Sequence, residues 1–216
     1  MPVEAVSTAP TSVGRPADWA ELTKPRITFM VLVTAAFGAY LAQGGLPALG
    51  LLSTTLAGTG LLADGASALN QVWERRSDAL MTRTADRPLP AGRLSREGAL
   101  VFGLALGLLG ALILAVGANP LAAAVGVVSL LSYVLIYTPL KRRTSLSTVV
   151  GAVPGALPPV MGWVAVTGRL DAGAAVLFGI LFLWQLPHFL AIAWLCRREY
   201  AAAGFPMLPV TEPDGR

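Results

Sequence analysis

The sequence predicts an all-α fold: a polytopic bundle of transmembrane helices. Three observations carry that prediction. Of 216 residues, 55% are apolar and 13% charged, where a soluble domain carries about 25% charged residues. Charge is absent from four long stretches: Arg26 to Asp64, Glu97 to Lys141, Arg143 to Arg169 and Asp171 to Arg197. Of the 16 Lys and Arg residues, all but Arg169 fall in alternate inter-helix segments. This composition excludes an ordinary water-soluble domain.

A membrane-spanning helix needs about 20 apolar residues, because about 30 Å of hydrocarbon is crossed at 1.5 Å per residue. The first two uncharged stretches are each long enough for two spans. Each carries a turn signal near its middle, Gln43-Gly44-Gly45-Leu46-Pro47 in one and Gly117-Ala118-Asn119-Pro120 in the other. The spacing predicts helices over 26–43, 47–72, 97–117, 120–138, 145–167 and 172–196. Residues 1–24 are polar, without the apolar core of a secretory signal, and read as a disordered tail. The remainder, 25–216, shows no repeat and reads as one membrane-embedded domain.

The basic segments lie before the first predicted helix, between the second and third, between the fourth and fifth, and after the sixth. Positive-inside bias therefore puts the amino terminus and these segments in the cytoplasm. The net charge of +4 is then a topology signal, with no nucleic-acid partner implied. A single cysteine excludes an internal disulfide, and a single histidine excludes a His-rich metal centre.

Topology does not explain the density of polar residues from Asn70 to Pro90. Asn70, Glu74 and Asp78 are spaced four apart, and each such step advances only about 40° around a helix. Three oxygen-bearing side chains then line one face. Hard oxygen donors suit Mg²⁺, which is commonly shared between one or two carboxylates and phosphate oxygens. Arg83 and Arg87 follow at the same interval, and guanidinium forks suit phosphate. Metal and arginines together point to a diphosphate ligand. The same spacing also suits mutually compensating charges on an exposed helix end.

His188 lies in Trp184-Gln185-Leu186-Pro187-His188-Phe189, where Pro187 is expected to kink the helix. An intramembrane imidazole either hydrogen bonds to a neighbouring helix or ligates a haem iron. Asp64 is offset from the Asn70 face. Its options are burial in the protonated form, a polar partner on another helix, or a water-filled cavity.

The run Asn70-x-x-x-Glu74-x-x-x-Asp78-x-x-Met81-x-Arg83-Thr84-x-x-Arg87-Pro88-Leu89-Pro90 resembles the first polar motif of the UbiA-type intramembrane prenyltransferases. Further matches are Lys24-Pro25-Arg26, Tyr137-Thr138-x-x-Lys141-Arg142-x-Thr144 and Gly155-Ala156-Leu157-Pro158-Pro159-x-x-Gly162-Trp163. Pro187-His188-Phe189 and Ala203-Gly204-Phe205-Pro206-Met207-Leu208-Pro209 are similar to the haem-farnesylating branch, the protohaem IX farnesyltransferases or haem O synthases.

The resemblance implies an enzyme of the bacterial inner membrane that transfers a farnesyl group from farnesyl diphosphate to a vinyl group of haem B, forming haem O for terminal oxidases. It implies Mg²⁺ as cofactor, held by Asn70, Glu74 and Asp78, with Glu199 the one acid available for a further metal contact. It implies Arg83, Arg87, Lys141, Arg142 and Lys24 as diphosphate ligands and His188 as the haem-binding residue. Asn70, Glu74, Asp78, Arg83, Arg87 and Lys141 form the implied catalytic set. Contact with haem A synthase or a terminal oxidase assembly is implied by resemblance alone.

Departures are also present. Glu199 stands where the family carries an Asp before Tyr200, and Ser147 stands where an Asn is common. The family's bundle has nine helices, so three beyond the sixth predicted here are expected to be absent. Other readings are a related prenyltransferase acting on a quinone precursor or chlorophyll-type ring, and a non-catalytic haem-binding protein or transporter.

Overall fold

The computed structural model describes residues 14–211. The described residues are helical throughout, with turns between helices and no strand. The helices are α1 (Pro16–Thr23), α2 (Pro25–Gln43), α3 (Leu49–Asp78), α4 (Arg96–Gly117), α5 (Pro120–Leu131), α6 (Thr138–Leu140), α7 (Ser147–Thr167), α8 (Ala172–Leu195), α9 (Arg197–Ala202) and α10 (Leu208–Thr211). A π-helical segment, Ser132–Tyr137, joins α5 to α6 in one continuous rod.

Five of these, α2, α4, the Pro120–Leu140 rod, α7 and α8, are long and apolar enough to cross a membrane. The sixth expected span, α3, is the longest at 30 residues. It is more polar because it is central: Thr55, Thr59, Ser67, Asn70, Gln71 and Glu74 are all buried against other helices. In contrast α4 turns Leu104, Leu108, Leu112 and Val116 outward, each more than half exposed. Such an apolar outer face matches hydrocarbon.

Close packing of the bundle depends on glycine. At Gly58 and Gly65 of α3, a Cβ would meet the carbonyl oxygens of Gly110 and Gly103 of α4 at 2.9 and 2.7 Å. On α7, a Cβ at Gly162 would collide with the Ala35 carbonyl of α2, and one at Gly38 with the Pro159 carbonyl. Small residues let backbones meet in a membrane, where packing rather than water exclusion holds helices together.

Helix α7 contains Pro154, Pro158 and Pro159. Pro158 has no N–H to offer the carbonyl four residues earlier, that of Pro154. Ser129 Oγ donates to that carbonyl at 3.1 Å, replacing the lost bond as an apolar setting requires.

Turn signals match their positions. Gly44, at φ 70°, ends α2. Asn119 caps α5 by accepting from the Ala122 N–H at 2.9 Å, and its amide donates to the Val164 carbonyl at 2.9 Å. Helix α8 continues through Pro187.

The tail expectation needs correction. Residues 1–13 lie outside the described residues, but Pro16–Thr23 is the ordered helix α1. Pro16 opens it, and the Asp18 carboxylate accepts from the Arg15 N–H at 3.0 Å. Leu22 is fully buried, and Gln71 Nε2 of α3 donates to its carbonyl at 2.9 Å. Arg93 reaches Asp18, Glu21 and Asp86 at 2.7, 3.1 and 3.1 Å. Its fork, with Arg15 beside it, holds the Asp18 carboxyl below the usual carboxylate range. A charged segment with only two buried side chains looks like a tail in composition. Long-range clamps make it a helix.

Candidate active site at the polar end of the bundle

Helix α3 carries Asn70, Glu74 and Asp78 into the interior, where each is at most 5% exposed. The alternative of compensating charges on an exposed helix end is therefore set aside. Each residue has a partner from a different part of the chain. Lys24 Nζ donates to Asn70 Oδ1 at 3.3 Å. Lys141 Nζ stands 3.1 Å from Glu74 Oε1 and donates to Oε2 at 3.4 Å. Arg87 Nη1 donates to Asp78 Oδ2 at 2.8 Å. The groups share one electrostatic neighbourhood. Burial, reinforced by the positive charge of Arg87, pulls the Lys24 ammonium down to about 8, with Glu74 and Asp78 opposing and Lys141 adding to the repulsion.

Local structure sets these positions. Lys24 precedes Pro25, and a residue before proline is pushed out of the right-handed helical region. It is the one described non-glycine residue with positive φ, at 51°, and the left-handed conformation costs about 1–2 kcal/mol. The chain breaks there between α1 and α2, with the ammonium on Asn70 at 3.3 Å. Pro139 similarly lacks an N–H for the ladder, and the π segment lies immediately before it. At its end, Thr138 donates to the Tyr133 carbonyl at 2.8 Å and accepts from Asn70 Nδ2 at 3.1 Å.

Lys141 is enclosed on its other side by Phe205, 4.9 Å to the ring centroid, and Tyr200 at 5.8 Å. These rings belong to the carboxy-terminal segment, which packs Phe205 and Met207 beside Met81 of the Asp78–Arg87 loop. Burial is the largest influence on the Lys141 ammonium and would lower it, but Glu74 with Tyr200 and Tyr133 together outweigh it and the group is held above its ordinary value. It stays cationic.

The other sequence-predicted residues are placed apart. Arg83 pairs with Glu199 at 3.9 Å, both partly exposed, so Glu199 does not join the α3 face. Among the described residues no three His, Cys, Asp or Glu side chains converge as a metal cage. Arg142 is exposed and lines a lateral groove with Arg75, Arg76 and Arg96. His188 is exposed on α8, stacked on Trp184 at 4.9 Å, with no hydrogen-bond partner among the described residues. Asp64 takes the second of its three options: Thr28 Oγ1 of α2 donates to its Oδ1 at 2.6 Å.

Asp78 Oδ1 is buried and accepts no hydrogen bond among the described residues. An unsatisfied buried acceptor costs about 1–3 kcal/mol. The donor set of an amide and two carboxylates, one with a free oxygen, fits a hard divalent cation that keeps some of its ligands for water and phosphate.

Sequence reasoning gave no site role to Thr138, Tyr200, Phe205 or Arg93, although Thr138 and Phe205 stand in the matched motifs and Tyr200 follows Glu199. The signal for Thr138 was its place before Pro139, a sign of an irregular helix. Arg93 had no local signal for its place on α1, because Asp18 and Glu21 are distant from it in sequence.

Membrane-length helices, with paired acids and cations buried at one end, define a multi-pass membrane protein. The chain belongs to the UbiA prenyltransferase family, whose model matches residues 31–216. It is thus an enzyme of the prenyltransferase class. A protoheme IX farnesyltransferase of Myxococcus xanthus is 54% identical over 92% of this chain and 67% of the relative. One of Solibacter usitatus is 50% identical, covering 92% and 71%. Solved structures share the fold. A UbiA homolog from Archaeoglobus fulgidus, bound to DMAPP and Mg²⁺, superposes with a TM-score of 0.73 at 17% identity, covering 90% of this chain and 69% of that one. A digeranylgeranylglyceryl phosphate synthase gives 0.76 at 16% identity, covering 90% and 68%.

Proposed function

We propose that this prenyltransferase moves a farnesyl group from farnesyl diphosphate to a vinyl group of haem B, with addition of water, to form haem O. The observation that carries the site assignment is the buried α3 face on which Asn70, Glu74 and Asp78 meet Lys24, Lys141 and Arg87. The relatives named protoheme IX farnesyltransferase support the haem acceptor. The A. fulgidus structure supports a prenyl diphosphate with Mg²⁺ as donor and cofactor.

In this reading Asn70, Glu74 and Asp78 hold Mg²⁺, which when bound neutralises charge on the diphosphate. Lys24, Lys141 and Arg87 bind the diphosphate oxygens from the protein side, and Arg83 closes the rim with Glu199. The allylic C–O bond breaks with its electron pair leaving on the diphosphate, whose growing charge these cations stabilise. The terminal vinyl carbon bonds to the freed farnesyl carbon. Water then adds at the carbon next to the ring and loses its proton. The helices exclude water until that point, which protects the allylic cation from early capture.

His188 contacts the haem as iron ligand or positioning group, presented by the stacked Trp184. Residues 25–216 act as one membrane-embedded unit. The site faces the cytoplasm in the bacterial inner membrane, with the amino terminus on the same side. Haem O passes to terminal oxidases, with haem A synthase or the oxidase assembly as contacts.

Haem extracted from membranes expressing the chain tests the function. Haem O, identified by mass, is expected from the wild type and only haem B from Glu74→Ala. Haem B alone in both samples, with both proteins folded in the membrane, defeats the proposal.

A further inference from the structure

A lateral groove of about 870 Å³ opens between α3, α4 and the α5 rod. Its walls include Leu100, Leu104 and Leu135, each at least a third exposed along the groove. Arg75, Arg76, Arg96 and Arg142 line the same groove, and no acidic residue does. All four arginines are exposed, and none pairs with a carboxylate among the described residues. They come from three places in the chain: the end of α3, the start of α4, and the turn after α6. Positive-inside bias asks for basic residues near helix ends, but not for their convergence on one apolar groove.

The groove is not an annex of the active site. At about 100° per residue, Leu69, Val72, Trp73 and Arg76 centre roughly 150° around α3 from Asn70, Glu74 and Asp78. A molecule in the groove lies on the opposite side of α3 from the face that carries Asn70, Glu74 and Asp78. Its chemistry is nevertheless well defined. An apolar trough takes hydrocarbon chains, and unpaired guanidinium forks at a membrane interface take phosphate.

We propose that this groove is a binding site for an anionic glycerophospholipid, with its phosphate on Arg75, Arg76, Arg96 and Arg142 and its acyl chains along the leucines. The lipid is a resident of the helix surface, separate from both substrates.

The test uses the full chain in nanodiscs of phosphatidylcholine doped with phosphatidylglycerol, with retained lipid read by native mass spectrometry. The wild type is expected to retain phosphatidylglycerol about tenfold or more over phosphatidylcholine. The triple variant Arg75→Gln, Arg76→Gln, Arg96→Gln is expected to lose that preference, and Leu104→Trp, which fills the trough, to reduce it. Undiminished binding of a farnesyl diphosphate analogue shows that each variant is folded. Millimolar inorganic phosphate is expected to leave the lipid in place. Equal retention of the two lipids by the wild type, or an unchanged preference in the triple variant, overturns the proposal. So does displacement by inorganic phosphate alone, which marks a free-anion site.

Discussion

Lys141 Nζ and Glu74 Oε1 stand 3.1 Å apart with both side chains largely withdrawn from solvent, 13% and 6% exposed. They join the turn after α6 to the middle of the polar face of α3. Two charges buried together cost desolvation that their attraction only partly repays, but one buried alone costs more.

Lys141→Met therefore leaves Glu74 uncompensated and is expected to destabilise the protein by about 3–5 kcal/mol. Adding Glu74→Gln restores much of that stability without restoring farnesyl transfer. Thermal unfolding in detergent, set beside a transfer assay, separates the two effects. A double variant no more stable than Lys141→Met alone contradicts the buried pair.

The Lys24 ammonium, held at about 8 by burial and the charge of Arg87, makes diphosphate binding depend on pH. Below that value it is protonated and attracts the anion; as pH rises through it the charge is lost. If only the protonated form binds, KM for farnesyl diphosphate rises about tenfold from pH 7 to pH 9, since each unit above the pKa removes the charged form tenfold. Lys24→Arg should flatten this rise. An equally steep profile in that variant would assign the titration to another group.

Gly162 faces the Ala35 carbonyl so closely that any side chain displaces α2. Gly162→Val is expected to cost about 3 kcal/mol or more through overpacking. Gly179, with nothing within 4 Å of an added Cβ, is the control. Gly179→Ala should be neutral or slightly stabilising, since alanine is favoured over glycine inside a helix by about 1 kcal/mol. Matching melting temperatures for the two variants would argue against the close α2–α7 contact.

His188→Ala is expected to change the Soret absorbance of bound haem while leaving binding of a farnesyl diphosphate analogue unchanged. An unchanged haem spectrum with full transfer activity would remove His188 from the acceptor site.

The bundle was legible because uncharged stretches and turn residues are local signals. Gly44 and Asn119 end and begin helices where the sequence places them. The α3 face was legible for the same reason, since the spacing of Asn70, Glu74 and Asp78 is helical geometry read directly. Helix α1 was not, because its order comes from Arg93 and Gln71, residues distant in sequence. Arg142 shows the converse limit. It adjoins Lys141 in the motif, yet neighbours on a tight turn diverge, and one guanidinium goes to the lateral groove while the ammonium goes to Glu74.

The wide turn at Ser132–Tyr137 gives the rod a phase. A π turn inserts one residue into an otherwise α-helical ladder, and one residue is about 100° of rotation. The wide turn absorbs that residue, so the rod beyond it, Thr138 and Lys141 included, keeps its face towards α3; the same residues wound as a plain α-helix would be turned by about 100°. Rewinding the segment as a plain α-helix would leave composition and charge unchanged and still swing both side chains away from Asn70 and Glu74. The match between the two halves of the site is thus kept by the width of one turn, in a stretch whose own side chains carry no charge.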